Sequence, residues 1–308
     1  MSADSDIASA SDGRPVDPAP AHTEMKLAVL SRYIGYVDER GRGGGFLHAT
    51  RSAMYRRYID GFAGVGRYDF GNGHVRDGSA LIALRAEVPG AAGASPIRFT
   101  HLRFVELDDD RANTLEARTR AAGATEARAR VVRGDANVVM VDALNEVEDR
   151  TPTLVLLDPY DLDDLRFETV RLIATWHDSA RARRIEQLVG LQIGRIRRQA
   201  NLEQGQMPSK VSLDQLERLL GNRRWEPVMQ EWVAGRREWS EVFGAMRDSF
   251  EEELRRIGYV YTRHCDVDER DPMYSLVFAS DHKDADTIMA GSIDHWRRDP
   301  KLRQRGLF

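Results

Sequence analysis

Residues 58–66 read Tyr-Ile-Asp-Gly-Phe-Ala-Gly-Val-Gly. This stretch begins as a short apolar strand, ends on the acidic Asp60 and continues into a turn with glycines at alternating positions. Glycine has no Cβ, so a turn built on Gly64 and Gly66 lets a ligand approach the backbone and lets the chain adopt unusual φ angles. A glycine turn alone is weak evidence, because any sharp connection from a strand to a helix can look the same.

Three later apolar segments also end near an acidic residue. These are residues 98–107 with Glu106, residues 130–133 with Asp135, and residues 153–157 with Asp158. The carboxyl ends of parallel strands share one edge of a sheet, where folds of this type bind ligands. Residues 153–157 are apolar without alternation, which is typical of a strand buried on both faces. The sequence therefore predicts an α/β fold of the Rossmann-like type with a mostly parallel sheet.

The rest of the chain continues the alternation of strands and helices. A fifth strand is predicted at residues 188–193, and residues 259–266 and 274–280 predict a C-terminal antiparallel hairpin. Ser79 is predicted to cap the helix that begins after the glycine loop. The domain organisation is predicted as a disordered leader at 1–21, one domain at 22–296 with a helical insertion at about 195–240, and a basic tail at 297–308.

Composition narrows the class of protein. The chain has 308 residues, a formal net charge of −4 and a single cysteine, Cys265. One cysteine excludes an internal disulfide and a cysteine-based zinc cluster within the chain, and the histidines show no metal-ligand spacing. No apolar run reaches the length of a membrane span, and the N-terminus lacks a signal-peptide pattern. We expect a cytoplasmic protein without a metal and without membrane association.

Residues 60–66 resemble the D-x-F-x-G-x-G cofactor loop of S-adenosylmethionine-dependent enzymes, in the FAGxG form common among those that act on nucleic acids. The alternating strands and helices, closed by an antiparallel hairpin, resemble the class I methyltransferase fold. More narrowly, residues 22–296 resemble the three-Cys-motif partner (TcmP) family of bacterial methyltransferase-like proteins. The segments that carry the resemblance are His22-Thr23 with Lys26, and residues 58–68, 78–84, 104–106, 134–137, 158–160 and 278–282.

The resemblance implies that S-adenosylmethionine is the cofactor. Backbone at the loop glycines would approach its methionine and ribose part, Glu106 would accept hydrogen bonds from the ribose hydroxyls, and Asp135 would take the adenine amino group. For each carboxylate the alternative is a helix N-cap where a strand meets a helix. The implied cofactor residues are Asp60, Gly61, Phe62, Ala63, Gly64, Gly66, Ser79, Glu106, Leu107, Asp135, Ala136 and Asp158.

Asp158, Pro159 and Tyr160 form the candidate catalytic centre. They resemble the D-P-P-Y turn of amino-directed methyltransferases, in which the carboxylate and a proline carbonyl orient an amino group and the aromatic ring stacks on the base. This chain reads D-P-Y-D, so the second proline is missing and the aromatic residue comes one position early. The alternative is an ordinary turn in which Pro159 ends the strand.

Arginine clusters flank the fifth predicted strand. They contain Arg181, Arg183, Arg184, Arg195, Arg197 and Arg198. With the basic tail they suggest a surface for DNA or RNA phosphates, and the alternative is a solvated arginine-rich surface. Tyr68 is predicted either to cover a substrate or to anchor its loop, and Trp225, Trp232 and Trp239 are predicted to be core residues.

The sequence thus predicts a methyltransferase that uses S-adenosylmethionine to methylate nitrogen, with a nucleic-acid acceptor. The alternative is a non-catalytic protein of the same fold that acts by assembly with a protein partner encoded alongside it. Intact cofactor residues favour the enzyme, and the altered D-P-Y-D turn favours the partner protein.

Overall fold

The structure, a computed structural model, describes residues 11–19, 22–148, 150–176, 184–199, 205–267 and 272–298. The chain divides into two compact units, one of Met1–Gly134 with Gly291–Phe308 and the other of Asp135–Ala290. The helix α11, Lys283–Arg298, belongs to the second unit as far as Ala290 and to the first from Gly291. No described helix is both long enough and apolar enough to cross a membrane.

The first unit carries the glycine loop. Its strands β4, β7 and β8 pair in parallel and in that order, and β4 is buried along its whole length. Its strands are β1 Asp17–Pro18, β2 Tyr36–Val37, β3 Gly43–Gly44, β4 Arg57–Asp60, β5 Arg67–Asp69, β6 Val75–Asp77, β7 His101–Glu106 and β8 Ala129–Arg133. Its remaining helices are α1 Thr23–Ile34, α2 Gly45–Ala49, α3 Ser79–Arg85 and α4 Asp109–Ala121.

The second unit carries the D-P-Y turn. Its strands β9 and β10 pair in parallel, whereas β12 is antiparallel to both β10 and β11. The strands are β9 Thr153–Leu157, β10 Glu186–Leu191, β11 Tyr261–Val267 and β12 Tyr274–Ser280. The helices are α5 Ala136–Leu144, α6 Phe167–Thr175, α7 Arg195–Gln199, α8 Lys210–Leu220, α9 Glu226–Val233 and α10 Trp239–Arg256.

These pairings confirm the predicted fold class, an α/β fold with mostly parallel strands and a C-terminal antiparallel hairpin. Strands β9 and β12 have the predicted bounds, and β10 begins two residues before the predicted start and ends two residues before the predicted end. The three tryptophans are buried, as predicted, and the rings of Trp232 and Trp239 pack edge to face at 5.5 Å. The predicted helical insertion at about 195–240 contains α7, α8 and α9 in its described part.

The capping role predicted for Ser79 is wrong. Ser79 is the first residue of α3, Gly78 is the N-cap, and no side chain caps this helix end. Gly78 takes the position because the chain is held there by a backbone hydrogen bond from Gly78 N to the carbonyl of Gly66, at 2.8 Å. A Cβ on Gly78 would come within 3.2 Å of the Gly66 backbone, so a serine at the cap would crowd this turn.

The described part of the predicted leader, residues 11–19, is ordered against the first unit. Strand β1 pairs in parallel with β5, and Asp12 accepts hydrogen bonds from the buried Arg118 Nε at 3.0 Å and Nη2 at 3.1 Å. Arg118 also donates to the carbonyl of Val65 at 2.8 Å. The disorder predicted for residues 1–21 rested on composition, since they contain almost no bulky apolar side chains, and residues 1–10 and 20–21 lie outside the described residues. Within residues 11–19, aspartates pair with arginines of α4.

The Asp12–Arg118 ion pair predicts a pH dependence of stability. The hydrogen bond from Arg118 lowers the pKa of Asp12 from 3.8 to about 2. A carboxylate with a depressed folded-state pKa stabilises the protein above its unfolded pKa, and this contribution is lost as the pH falls through the folded pKa. Asp12→Asn should therefore cost about 1 kcal/mol at pH 7, after allowance for solvent screening.

Thermal unfolding at pH 7 and at pH 3 measures this effect. We expect the difference between the wild type and Asp12→Asn to shrink at pH 3, because Asp12 is then largely protonated in the unfolded chain while it stays mostly ionised in the folded protein. Glu126→Gln, which changes an exposed acid in the same unit, is the control. An Asp12→Asn difference that is equal at the two pH values would contradict the assignment.

Candidate functional site

The carboxylate of Asp60 holds the turn that follows β4. Asp60 is fully buried; its Oδ1 accepts the backbone N–H of Phe62 at 3.2 Å and its Oδ2 accepts the hydroxyl of Tyr58 at 3.3 Å. One residue later the backbone N–H of Ala63 donates to the carbonyl of Val105 at 2.9 Å. These bonds tie the glycine loop to the ends of β4 and β7, so Asp60 shapes the loop.

Gly64 and Gly66 have left-handed φ angles of +61° and +84°, as expected for the glycines of this loop. A Cβ on Gly66 would lie 2.8 Å from Leu115 Cδ1, so this glycine is required for packing against α4. A Cβ on Gly64 would lie 2.7 Å from Oδ2 of Asp17. In the direction where a Cβ would project, Gly64 is therefore approached by a carboxylate of the chain's own N-terminal segment.

Glu106 ends β7 and is only 8% exposed. Its Oε1 accepts the backbone N–H of Asp108 at 3.0 Å and lies 3.5 Å from Nε of Arg111. Asp108 in turn caps α4 by accepting the N–H of Arg111 at 2.9 Å. The next residue, Leu107, is 70% exposed although it is large and apolar. Glu106, the residue predicted to bind ribose, is thus followed by an exposed apolar side chain.

Arg111 links Glu106 to the N-terminal segment. Its Nη1 and Nη2 donate to the two oxygens of Asp17 at 2.6 Å and 2.9 Å, and Val65 N–H lies 3.4 Å from Asp17 Oδ2. Burial alone would lower the pKa of Arg111, but the charges of Asp17 and Glu106 outweigh it and raise that pKa. Neither Asp17 nor Arg111 was identified from the sequence. An acid in a proline-rich leader has no motif, and its partner is 94 residues away.

Tyr68, the substrate residue predicted in the first unit, lies against α1. The Nζ of the buried Lys26 is 3.4 Å from the Tyr68 hydroxyl and 5.1 Å from its ring centroid. A cation over an aromatic face stabilises such a contact. This geometry favours the anchoring role for Tyr68. Ser79, a cofactor residue implied by the resemblance, is buried in the same unit.

In the second unit, Asp135 is the N-cap of α5, the alternative considered for each carboxylate. Its Oδ1 accepts the backbone N–H of Asn137 at 2.8 Å and the Asn137 side-chain amide at 2.9 Å. The side-chain Oδ1 of Asn137 accepts the backbone N–H of Arg166 at 2.9 Å and the hydroxyl of Thr169 at 2.8 Å. Ala136 is buried in the first turn of α5, whereas Val138 is 68% exposed.

The D-P-Y turn follows β9 and is held by β12 and by the segment after β10. Asp158 Oδ1 accepts the hydroxyl of Tyr274 at 2.9 Å, and the carbonyl of Pro159 accepts the side-chain amide of Gln192 at 2.6 Å. Pro159 is buried, whereas Tyr160 is 69% exposed. The turn therefore presents a fixed carboxylate and an exposed aromatic ring.

Arg195 is brought to this turn. Its guanidinium lies 4.8 Å from the centroid of the Tyr160 ring, donates to the Tyr160 carbonyl and is 3.9 Å from the carboxylate of Asp161. Arg197 lies instead 5.7 Å from the ring centroid of Trp239, and Arg184 pairs with Asp281 at 3.2 Å. The other predicted phosphate contacts fall on side chains outside the described residues, which are those of Arg181, Arg183, Arg198 and the tail beyond residue 298.

Asp164 closes the D-P-Y-D turn from its other end. Its Oδ2 accepts the backbone N–H of Asp161 at 2.6 Å, and its backbone carbonyl accepts the side-chain amide of Asn137 at 2.7 Å. Burial raises the pKa of Asp164 above its ordinary value. Asp161 is thus built into the turn through its backbone. Among the described residues, no cluster of His, Cys, Asp and Glu suited to a metal ion is found.

No known family model matches the sequence, and no curated protein matches it. Similar solved structures include the putative methyltransferase yhhF from Escherichia coli, which is 19% identical over 48% of this chain and 65% of that chain, with a TM-score of 0.31. The human methyltransferase 10 domain containing protein is 14% identical over 89% of this chain and 91% of that one, with a TM-score of 0.41. The N-terminal domain of human METTL16 in complex with SAH is 15% identical over 75% and 63%, with a TM-score of 0.36. Because these values are low, the assignment of the fold rests on the strand pairing described above.

Gly190 in β10 leaves the space that the Asp158–Tyr274 hydrogen bond fills. A Cβ at this position would lie 2.1 Å from Asp158 Oδ1 and 2.6 Å from the Tyr274 hydroxyl. We expect Gly190→Ala to displace this pair and to lower the free energy of unfolding by about 1–3 kcal/mol, the usual cost of overpacking. Chemical denaturation measures the change.

Gly244→Ala is the matched control for this substitution. Gly244 lies within α10, and a Cβ there meets only Arg247 Nη2 at 3.7 Å. This change should leave stability equal or raise it by up to about 1 kcal/mol, since alanine favours a helix interior. Equal stability of Gly190→Ala and the wild type would contradict the crowding argument.

Proposed function

We propose that this chain is a methyltransferase that binds S-adenosylmethionine and transfers its methyl group to a nitrogen. The observation that carries the proposal is the arrangement at the ends of β4 and β7. There a glycine loop with two left-handed residues lies beside Glu106, whose described contacts both fall on Oε1. A carboxylate at this position suits the two hydroxyls of a ribose.

In the first unit, the proposed cofactor contacts are of three kinds. Backbone at Gly61, Gly64 and Gly66 approaches the methionine and ribose part, Glu106 accepts from the ribose hydroxyls, and the exposed Leu107 covers an apolar part of the nucleoside. In the second unit, Asp135 and Ala136 are proposed for the adenine edge. The Asp135 oxygen that caps α5 is Oδ1, so a ligand amino group would use Oδ2.

Asp158, Pro159 and Tyr160 are proposed to bind the acceptor. A carboxylate held by the Tyr274 hydroxyl accepts a hydrogen bond from an amino group and turns its lone pair towards the methyl carbon. Bound S-adenosylmethionine would supply the methyl group, and formation of the N–C bond would be balanced by cleavage of the S–C bond, with a neutral thioether as the leaving group. The surplus proton then leaves the nitrogen, to Asp158 or to water. Positioning supplies much of the acceleration, and no strong base is required.

A nucleic acid is the proposed acceptor class. The exposed Tyr160 ring offers a face on which a base can stack, and Arg195 beside it supplies positive charge. Membership of the TcmP family is likewise proposed on the motifs of the sequence. The second candidate function is assembly with a protein partner and no catalysis. It is favoured by one observation, that the Pro159 carbonyl already accepts the amide of Gln192.

The ribose contact predicts the effect of Glu106→Gln on cofactor binding. Loss of charge-assisted hydrogen bonds of about 1.5–3 kcal/mol should weaken binding of S-adenosylhomocysteine roughly 10- to 100-fold. Isothermal titration calorimetry of the purified protein measures this change, with NAD as the control ligand. Wild-type protein that is folded and binds neither ligand would favour the partner role, and an unchanged affinity for Glu106→Gln would remove the ribose assignment.

Asp158→Asn should separate binding from chemistry. We expect it to lower methyl transfer at least about 100-fold, because an amide neither orients an amino group as a carboxylate does nor accepts its proton. Affinity for S-adenosylhomocysteine should stay within about twofold of the wild type. Transfer of a labelled methyl group to DNA and RNA in a single turnover measures the first quantity. Equal turnover by the variant and the wild type would exclude the assigned role of Asp158.

Contact with phosphates predicts a steep dependence on salt. If Arg195 contacts a nucleic-acid backbone, Arg195→Gln should weaken binding and reduce the slope of log K against log salt by about 1. Fluorescence anisotropy with a labelled single strand measures that slope between low and moderate salt. Arg236→Gln, at an arginine paired with Glu231, is the matched control. The same slope for Arg195→Gln and the wild type would show that Arg195 makes no phosphate contact and serves only to hold the turn.

A further inference from the structure

Arg111 stands between two carboxylates that compete for it. Its terminal nitrogens Nη1 and Nη2 both donate to Asp17, whereas only Nε faces Glu106, at the longer distance of 3.5 Å. An arginine fork pairs most strongly with a carboxylate when two of its N–H groups reach both oxygens. Asp17 has that bidentate geometry and Glu106 does not.

The distribution of these hydrogen bonds determines which oxygen of Glu106 remains for a ligand. The contacts that the described residues make with Glu106, from Arg111 and from Asp108 N–H, both fall on Oε1. If Asp17 did not hold the terminal nitrogens, the guanidinium of Arg111 could turn and pair bidentately with Glu106. Both oxygens of Glu106 would then be occupied and its charge compensated, which leaves a poor acceptor for ribose hydroxyls.

Asp17 is held in place independently of Glu106. The segment that carries it is fastened by the pairing of β1 with β5 and by the bonds between Asp12 and Arg118. Gly64 allows the close approach, since a Cβ there would lie 2.7 Å from Asp17 Oδ2. The Asp17 side chain is well buried, and that of Arg111 is 42% exposed.

We propose that Asp17 is a positioning residue that withdraws Arg111 from Glu106 and so keeps Glu106 competent to bind a nucleoside with free ribose hydroxyls. This inference rests on the proposed function, because it assumes that Glu106 binds ribose. It assigns to the N-terminal segment a part in cofactor affinity, exercised through Arg111 and without contact with the ligand.

Calorimetric titration with two ligands tests the proposal. S-adenosylhomocysteine contains adenine, ribose and an amino-acid part, and 5′-methylthioadenosine lacks the amino-acid part. Asp17→Asn should lower the affinity for both ligands by a similar factor, about tenfold, which corresponds to one charge-assisted hydrogen bond. A similar factor is expected because the ribose is common to both.

Restoration by a second substitution separates this role from a structural one. In Asp17→Asn/Arg111→Gln the guanidinium that would cover Glu106 is gone, so both affinities should return to within about threefold of the wild type. If Asp17 served only to hold the segment, removal of its partner as well would not restore binding. Asp12→Asn, which weakens the same segment at its other attachment, is the control and should change affinity less than about twofold at pH 7.

The possible results are distinguishable. Wild-type affinity in Asp17→Asn, or no recovery in the double variant, overturns the inference while the proposed function stands. A loss for S-adenosylhomocysteine alone also overturns it, because Arg111 or Asp17 would then act on the amino-acid part. Absence of binding by the wild type, or full affinity in Glu106→Gln, overturns the ribose assignment and this inference with it. Parallel losses with recovery in the double variant support it.

Discussion

The buried carboxylate of Asp60 is the constraint on which the first unit depends. Its hydrogen bond to the N–H of Phe62 turns the chain at the end of β4, and the turn delivers Gly64 and Gly66 beside α4. α4 begins after Glu106, so the same geometry that seats the loop also sets the position of Arg111. A buried carboxylate that lost these partners would be costly, which ties the loop to one conformation.

The two units use the same device at their candidate sites, a glycine whose missing side chain lets two polar groups meet. In the first unit Gly64 admits the carboxylate of Asp17, and in the second Gly190 admits Asp158 with the hydroxyl of Tyr274. In both cases a carboxylate is oriented by a partner distant in sequence. Preorganisation of this kind lowers the entropic cost of ordering the site when a ligand binds or a transition state forms.

The pattern of acids at strand ends has two physical meanings that sequence cannot separate. Asp135 illustrates this: its Oδ1 caps α5, as the simpler interpretation expects, and the ligand role proposed above concerns its other oxygen. Asp60 is engaged through both oxygens and serves the turn itself. The described contacts of Glu106 also leave one oxygen for a ligand, and Glu106 ends β7 next to the exposed Leu107, so it carries most of the functional argument.

Sequence alone predicted strands at the positions of β4 and β7 to β12 and the acidic residues at or just after the ends of four of them, because burial and turn chemistry are local properties of the chain. The bounds of β9 and β12 and the burial of the three tryptophans were predictable for this reason. Only the tertiary structure revealed Asp17, Arg111, Gln192 and Tyr274, each of which acts through a partner far away along the chain. Nothing in the neighbouring residues marks such a partner, since a hydrogen bond between distant segments is decided by packing. The same holds for residues 11–19, whose aspartates pair with arginines on α4 that are about a hundred residues away along the chain.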